Sequence, residues 1–181
     1  MRGRSYTRGG LPQTHQVFES MCSSDVSCAP WLAVYVKPRH EKNVAFALQH
    51  KGYEAFLPTY TKCHRYKRKF ELPLFPGYVF CRSELSKTLP LLTTPGVFSI
   101  VGNGRHPISD EEINAVRRLA TSGFAPCPWP YVSIGQEFCI ESGPLRGVRG
   151  VLVDASDHRW LVVSVHLLQR SMAAKLDREA R

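Results

Sequence analysis

Residues 73–80 read PLFPGYVF, an apolar run broken once by a Pro-Gly pair. Just upstream, residues 62–71 read KCHRYKRKFE, a basic run with aromatics inside it. Proline has no N–H to give a sheet ladder, so it sits at an edge or at the first position of a strand. Glycine lets the backbone bend sharply there. Pro76-Gly77 therefore marks the entry of a strand, YVFCR at 78–82, and the basic run is a hairpin or arm beside it. Along this strand Tyr78 and Phe80 share a face, and Val79 points the other way.

Working outward, WLAVYVK at 31–37 is short, β-rich and nearly continuous in apolar content, which predicts a central strand. Trp31, Ala33 and Tyr35 share one of its faces. PRHEKNVAFALQHKG predicts a helix that Pro38 opens and Gly52 closes. YEAFLPTY at 53–60 is a second strand. SKTLPLLTTPGV gives a short helix or turn ended by Pro95-Gly96. FSIVGNGRHPI predicts a strand, an Asn103-Gly104 turn and a short return strand. In ISDEEINAVRRLA, Ser109 and Glu112 have capping-box spacing, and Ile108 and Ile113 have staple spacing. The order β-α-β-β-β-α over 31–121 predicts an α+β fold, a ferredoxin-like sandwich.

Residues 122–133 hold three prolines and no charge, the composition of a linker. Residues 134–178 carry short strands between turns, which predicts a small all-β barrel of the SH3-like kind. Val162, Val163 and Val165 favour a strand, whereas the stretch from Leu167 has mixed propensity and is also compatible with a helix. Residues 1–30 are polar, lack the apolar core of a secretory signal and read as a disordered arm.

The 181 residues carry a net charge of +9, and the excess is local: 31–125 hold 14 Lys/Arg against 7 Asp/Glu, and 131–181 hold 7 against 6. A basic unit beside a near-neutral one suggests that only the first faces nucleic acid. No stretch reaches the roughly 18 apolar residues of a membrane span, so no membrane partner is expected. The six cysteines form no C-x-x-C pair, and Cys63-His64 has no second ligand pair at zinc spacing. Reduced thiols, a cytoplasmic location, no metal and no cofactor are the expectation. SGPLRGVRG lacks the Gly-Lys-Ser/Thr ending of a phosphate loop, and its glycines suit turns and a bulge. No acid/base dyad or activated nucleophile stands out, so an enzyme ranks last.

Four landmarks, in order, resemble the NusG family of transcription elongation factors: WLAVYVKPRHEKNVAFAL, LFPGYVF, TTPGVFSIVG followed by PISDEEI, and GQEFCIESGPLRGVRGVLV. They match the amino-terminal NGN domain (here 31–121) and the carboxy-terminal KOW domain (here 134–178). The PLFPGYVF form and the LLQRSMAAKL ending are more similar to the specialised paralogues RfaH and UpxY.

The resemblance implies a protein that binds the clamp helices of the largest RNA polymerase subunit and suppresses pausing or termination. Specialised paralogues act on chosen operons, often for surface polysaccharide. It implies contact with the non-template DNA strand near the bubble, and a KOW partner such as Rho or NusE of the ribosome. Tyr35, Tyr78 and Phe80 match the clamp-helix contacts. If two helices cover one sheet face, the other would expose these aromatics to a partner; the alternative is that all three are core. Lys62, Arg65, Lys67 and Arg68 of the basic run suit phosphates, with aromatics for base stacking; the alternative is a solvated hairpin that discourages edge pairing. Ser86, Lys87 and Thr88 stand where specialised paralogues read DNA, and Lys37 and Arg39 suit the same strand through phosphate contacts, or all five are plain surface. Leu168 stands where the general factor has a partner-binding aromatic; leucine keeps the apolar contact and loses the ring. A different class also fits: a KOW-type RNA-binding or ribosome-associated protein, with affinity carried by the hairpin.

Overall fold

The computed structural model describes residues 29–63, 69–132, 137–155 and 158–176. The expected N-terminal arm therefore lies outside the described residues, apart from its last two.

A four-stranded antiparallel sheet organises the N-terminal unit. Its strands are β1 (Trp31–Val36), β2 (Ala55–Phe56), β5 (Tyr78–Arg82) and β6 (Val97–Ile100), in the spatial order β2-β5-β1-β6. β1 lies between β5 and β6 and is buried at every position but Tyr35. That placement explains its nearly unbroken apolar run. β3 (Thr59–Cys63) and β4 (Lys69–Pro73) form a separate two-stranded hairpin. The expected strand over 53–60 is thus two short strands, β2 and β3, parted by Leu57-Pro58.

Helices cover both faces of the sheet. Leu32, Val34, Val36, Val79 and Cys81 pack against Val44, Ala45 and Leu48 of α1 (Glu41–His50) and Leu91 of α2 (Leu89–Leu92). Trp31, Ala33 and Phe80 pack instead with Ile113, Val116 and Leu119 of α3 (Asp110–Thr121). Burying each such aliphatic side chain contributes roughly 1.5–3 kcal/mol. α3 starts at a complete capping box: Ser109 Oγ accepts the Glu112 N–H at 3.1 Å, and Glu112 Oε2 accepts the Ser109 N–H at 3.3 Å. The Asn103-Gly104 segment differs from its expected hairpin. Residues 101–104 form one 3-10 turn, and the return is only a single bridge from Ile108 to Trp31.

The C-terminal unit is a five-stranded antiparallel sheet in the order β7-β11-β10-β9-β8. β7 is Cys127–Trp129, β8 Glu137–Cys139, β9 Arg149–Ala155, β10 His158–Val165 and β11 Arg170–Leu176. β7 lies inside the expected linker. Pro128 is tolerated there because, among the described residues, β7 is an edge strand that pairs only with β11. After a 3-10 turn at His166–Leu168, the stretch is strand rather than α-helix over Arg170–Leu176, since β11 pairs residue for residue with β10 from Arg159–Leu176 to Val165–Arg170. Gly150 must lack a side chain: a Cβ there would stand 2.5 Å from the Val162 carbonyl oxygen of the neighbouring strand.

The two units share one hydrophobic cluster. Leu161, Val163, Val165, Leu168, Met172 and Ala174 of the C-terminal sheet are continuous with Phe80, Ile113 and Val116. Among the described residues, no helix is long and apolar enough to cross a membrane.

Candidate docking face and nucleic-acid contacts

Phe75 through Tyr78 form a β-turn, closed by the Tyr78 N–H on the Phe75 carbonyl at 3.1 Å. Pro76 and Gly77 are its corners, and Gly77 has φ +84°, the left-handed value a type II turn requires. The Gly77 N–H donates to Oε1 of the buried Glu41 at 2.9 Å. The Gly77 carbonyl accepts from the Val36 N–H at 2.9 Å. A Cβ on residue 77 would sit 3.4 Å from the Tyr35 ring. The Pro-Gly pair thus seats Tyr35 as well as starting β5.

Tyr35 and Tyr78 are direct cross-strand partners. Their ring centroids lie 5.5 Å apart at an interplanar angle of 43°. Tyr35 is 41 % exposed, and Tyr78 is half-buried. Phe80 is placed differently. It is 0 % exposed, in edge contact with Phe75 at 5.5 Å and stacked with Phe56 at 6.2 Å. The face-sharing deduced from the strand period is right, but Phe80 does not reach solvent. α3 and the C-terminal sheet occupy the half of the face that two helices alone would have left open.

Phe98 completes the exposed row and was missed from the sequence. It stacks on Tyr35 with centroids 5.6 Å apart and planes 25° apart, and it is 56 % exposed. Lys37 Nζ lies 5.8 Å from the Phe98 centroid, and the Arg170 guanidinium lies 5.5 Å from that of Tyr78. A cavity of about 600 Å³ adjoins the row, lined by Tyr35, Pro38, Glu41, Gly77, Tyr78 and Arg170 among others.

The candidate nucleic-acid residues are scattered along one unit. Lys37 and Arg39 flank the β1–α1 turn and are exposed. Lys62 is exposed on β3, while Arg65, Lys67 and Arg68 lie outside the described residues. The hairpin is tied to α1 by Lys42, whose Nζ lies 2.5 Å from Glu71, and Thr59 Oγ1 donates to Glu71 at 2.8 Å. The Lys42 and Thr59 hydrogen bonds hold the Glu71 carboxyl below its ordinary range. Ser86 and Lys87 are exposed and donate to Glu84, at 3.2 and 3.0 Å, which lowers the Glu84 pKa, the Lys87 hydrogen bond acting most strongly. Thr88 begins α2. Two further cations of the unit are structural: Arg82 and Arg117 share Glu54, and both lie over the Trp31 ring.

A family model, "Transcription termination factor nusG", matches residues 29–117. A transcription termination/antitermination protein NusG of Pseudomonas aeruginosa is 32 % identical over 118 residues, covering 61 % of this chain and 67 % of that protein. The chain belongs to the NusG family. The NusG of Buchnera aphidicola is 33 % identical over 119 residues, covering 61 % of this chain and 65 % of that one. The matched stretch therefore spans about two thirds of each relative's length. Among solved structures, one of Thermotoga maritima NusG covers 83 % of this chain and 94 % of its own, with 22 % identity and a TM-score of 0.49. The MjSpt4:Spt5 complex in conformation B covers 75 % and 84 %, with 18 % identity and a TM-score of 0.30.

Leu168, the position singled out for a partner of the C-terminal unit, is 8 % exposed and packed in the cluster shared by the two units.

Proposed function

We propose that this NusG-family chain is a non-enzymatic elongation or antitermination factor. Its N-terminal unit, 31–121, docks on RNA polymerase, suppressing pausing or termination. One observation carries the reading: Tyr35 offers its ring to solvent from a strand whose other five residues are buried. An apolar ring held out of an otherwise closed core calls for a partner. The partner is the clamp-helix pair of the largest subunit, met by Tyr35 and Tyr78, with Phe80 supporting them from beneath. Arg39, the basic-run residues Lys62, Arg65, Lys67 and Arg68, and the Ser86–Thr88 turn then face the non-template DNA strand near the bubble. The C-terminal unit, 134–178, receives Rho or NusE on the ribosome at Leu168, which requires the sheet to leave α3. The protein works in the cytoplasm on selected operons, such as those for polysaccharide, as a specialised paralogue.

A second reading, a KOW-type RNA-binding or ribosome-associated protein, is favoured by the hairpin. Among the described residues β3–β4 pairs with no other strand, and Lys69 through Leu72 are exposed. Binding would then reside in the cations of the hairpin and fall steeply with salt.

The test is the variant Tyr35→Ala/Tyr78→Ala, followed by thermal melting and by affinity for RNA polymerase. Interface aromatics contribute about 2 kcal/mol each, so the expected loss is at least a hundredfold with the fold intact. A folded variant with undiminished polymerase affinity would reject the docking face. Salt-sensitive binding of free RNA, lost on Lys62→Ala/Lys69→Ala, would then establish the second reading.

A further inference from the structure

We infer that a β-bulge in β6 makes Phe98 the third anchor of the docking face, and that Lys37 serves the protein partner rather than the DNA strand. The inference rests on the docking reading above and specifies the partner surface: an amphipathic helix with acidic flanks. Along β1 and β6 the register runs Val34–Ile100, Tyr35–Ser99 and then Val36–Val97. Phe98 is the extra residue. In an unbroken ladder, Ser99 would share the Tyr35 face and Phe98 would point to the opposite one, under α1 and α2. An inserted residue bends its strand and re-aims a side chain. Phe98 accordingly lies against Tyr35 at 5.6 Å, more exposed than Tyr35 itself.

The consequence is a row of three rings across β5, β1 and β6. Tyr78 to Tyr35 is 5.5 Å and Tyr35 to Phe98 is 5.6 Å. Side chains three or four residues apart on a helix stand about 5–6 Å apart. Three rings at this interval therefore match apolar residues over about two helical turns. Each end of the row carries a cation, Lys37 over Phe98 and Arg170 over Tyr78. Apolar rings between two positive charges complement a helix whose apolar stripe is flanked by Asp or Glu.

Three single variants, Phe98→Ser, Lys37→Glu and Tyr35→Ala, are compared for melting temperature and for affinity to purified RNA polymerase core enzyme without nucleic acid. Phe98→Ser is expected to melt like the parent, because the ring is largely in water, and to bind at least tenfold more weakly. Lys37→Glu is expected to bind severalfold more weakly at low salt, with the difference shrinking at high salt. If Tyr35→Ala weakens binding while Phe98→Ser binds like the parent, the third anchor is refuted and the docking face stands. If Lys37→Glu binds core enzyme normally, the assignment of Lys37 to the protein partner is refuted. If all three bind normally, the docking reading falls and takes this inference with it. Should Phe98→Ser lower the melting temperature, Phe98→Leu, which keeps the apolar bulk and loses the ring, replaces it: parent-like binding overturns the role of the ring.

Discussion

The Glu112 carboxylate divides its oxygens between two units of the fold. Oε2 closes the capping box of α3, while Oε1 lies 2.6 Å from His166 Nδ1 and accepts the His166 N–H at 3.2 Å. His166 leaves β10 at the turn before β11, so the start of α3 and the turn of the C-terminal sheet are held by one side chain. Further along α3, Glu111 pairs with Arg149 at 3.6 Å and Arg118 donates to the Arg146 carbonyl. α3 thus adds polar ties to the second unit beside the apolar cluster that the two units share.

Glu112→Ala and His166→Ala are therefore unequal. Loss of a capping side chain costs about 1 kcal/mol, and an exposed side-chain hydrogen bond contributes about 1 kcal/mol or less. Glu112→Ala is expected to lower stability by about 1–2 kcal/mol in denaturant titration, and His166→Ala by less than about 1 kcal/mol. Equal losses would contradict the double duty of Glu112.

Phe80 and Tyr35 separate packing from display. Phe80→Ala empties a fully buried site and is expected to cost about 3–5 kcal/mol. Tyr35→Ala removes a ring already partly in water and is expected to cost about 1 kcal/mol or less. Thermal melting of the two single variants decides; a large loss from Tyr35→Ala would return that ring to the core.

The cysteines should differ in reactivity. Burial, helped by the Glu54 carboxylate, pushes the Cys81 thiol up to about 12, so its reactive thiolate is scarce at pH 8. Cys139 is exposed. Mass spectrometry after brief alkylation of the native protein at pH 8 should find Cys139 modified and Cys81 intact until denaturant is added. Early modification of Cys81 would show that the α1 side of the sheet opens in solution.

Arg39 holds a position suited to glycine. Its turn, closed by the His40 N–H on the Lys37 carbonyl at 3.0 Å, places Arg39 at φ +67°. The corresponding corners after Pro76 and Pro95 are Gly77 and Gly96. A non-glycine residue there costs about 1 kcal/mol. Arg39→Gly is expected to leave melting unchanged or slightly raised while reducing crosslinking to non-template DNA in a polymerase complex. A lower melting temperature would mean that the guanidinium is structural instead.

Much of the local structure was legible in the sequence because its causes lie within a few residues. The apolar run of β1, the Pro76-Gly77 corner, the hairpin flanking the basic run and the Ser109–Glu112 box follow from strand period, proline and glycine geometry and capping chemistry. The tertiary structure decided which faces are covered. Period-two alternation places Tyr35 with Tyr78 and Phe80, but burial of Phe80 depends on α3 and on strands some eighty residues later. The same is true of Leu168, which only the docked sheet removes from water. Pro128 lies in a strand because β11 offers it an edge, and β11 is a strand because β10 pairs with its whole length. The exposed place of Phe98 depends on one unmatched residue between two strands, and neither strand alone contains that register. These outcomes rest on hydrogen-bond ladders and packing between distant segments, whose free energies no local pattern expresses.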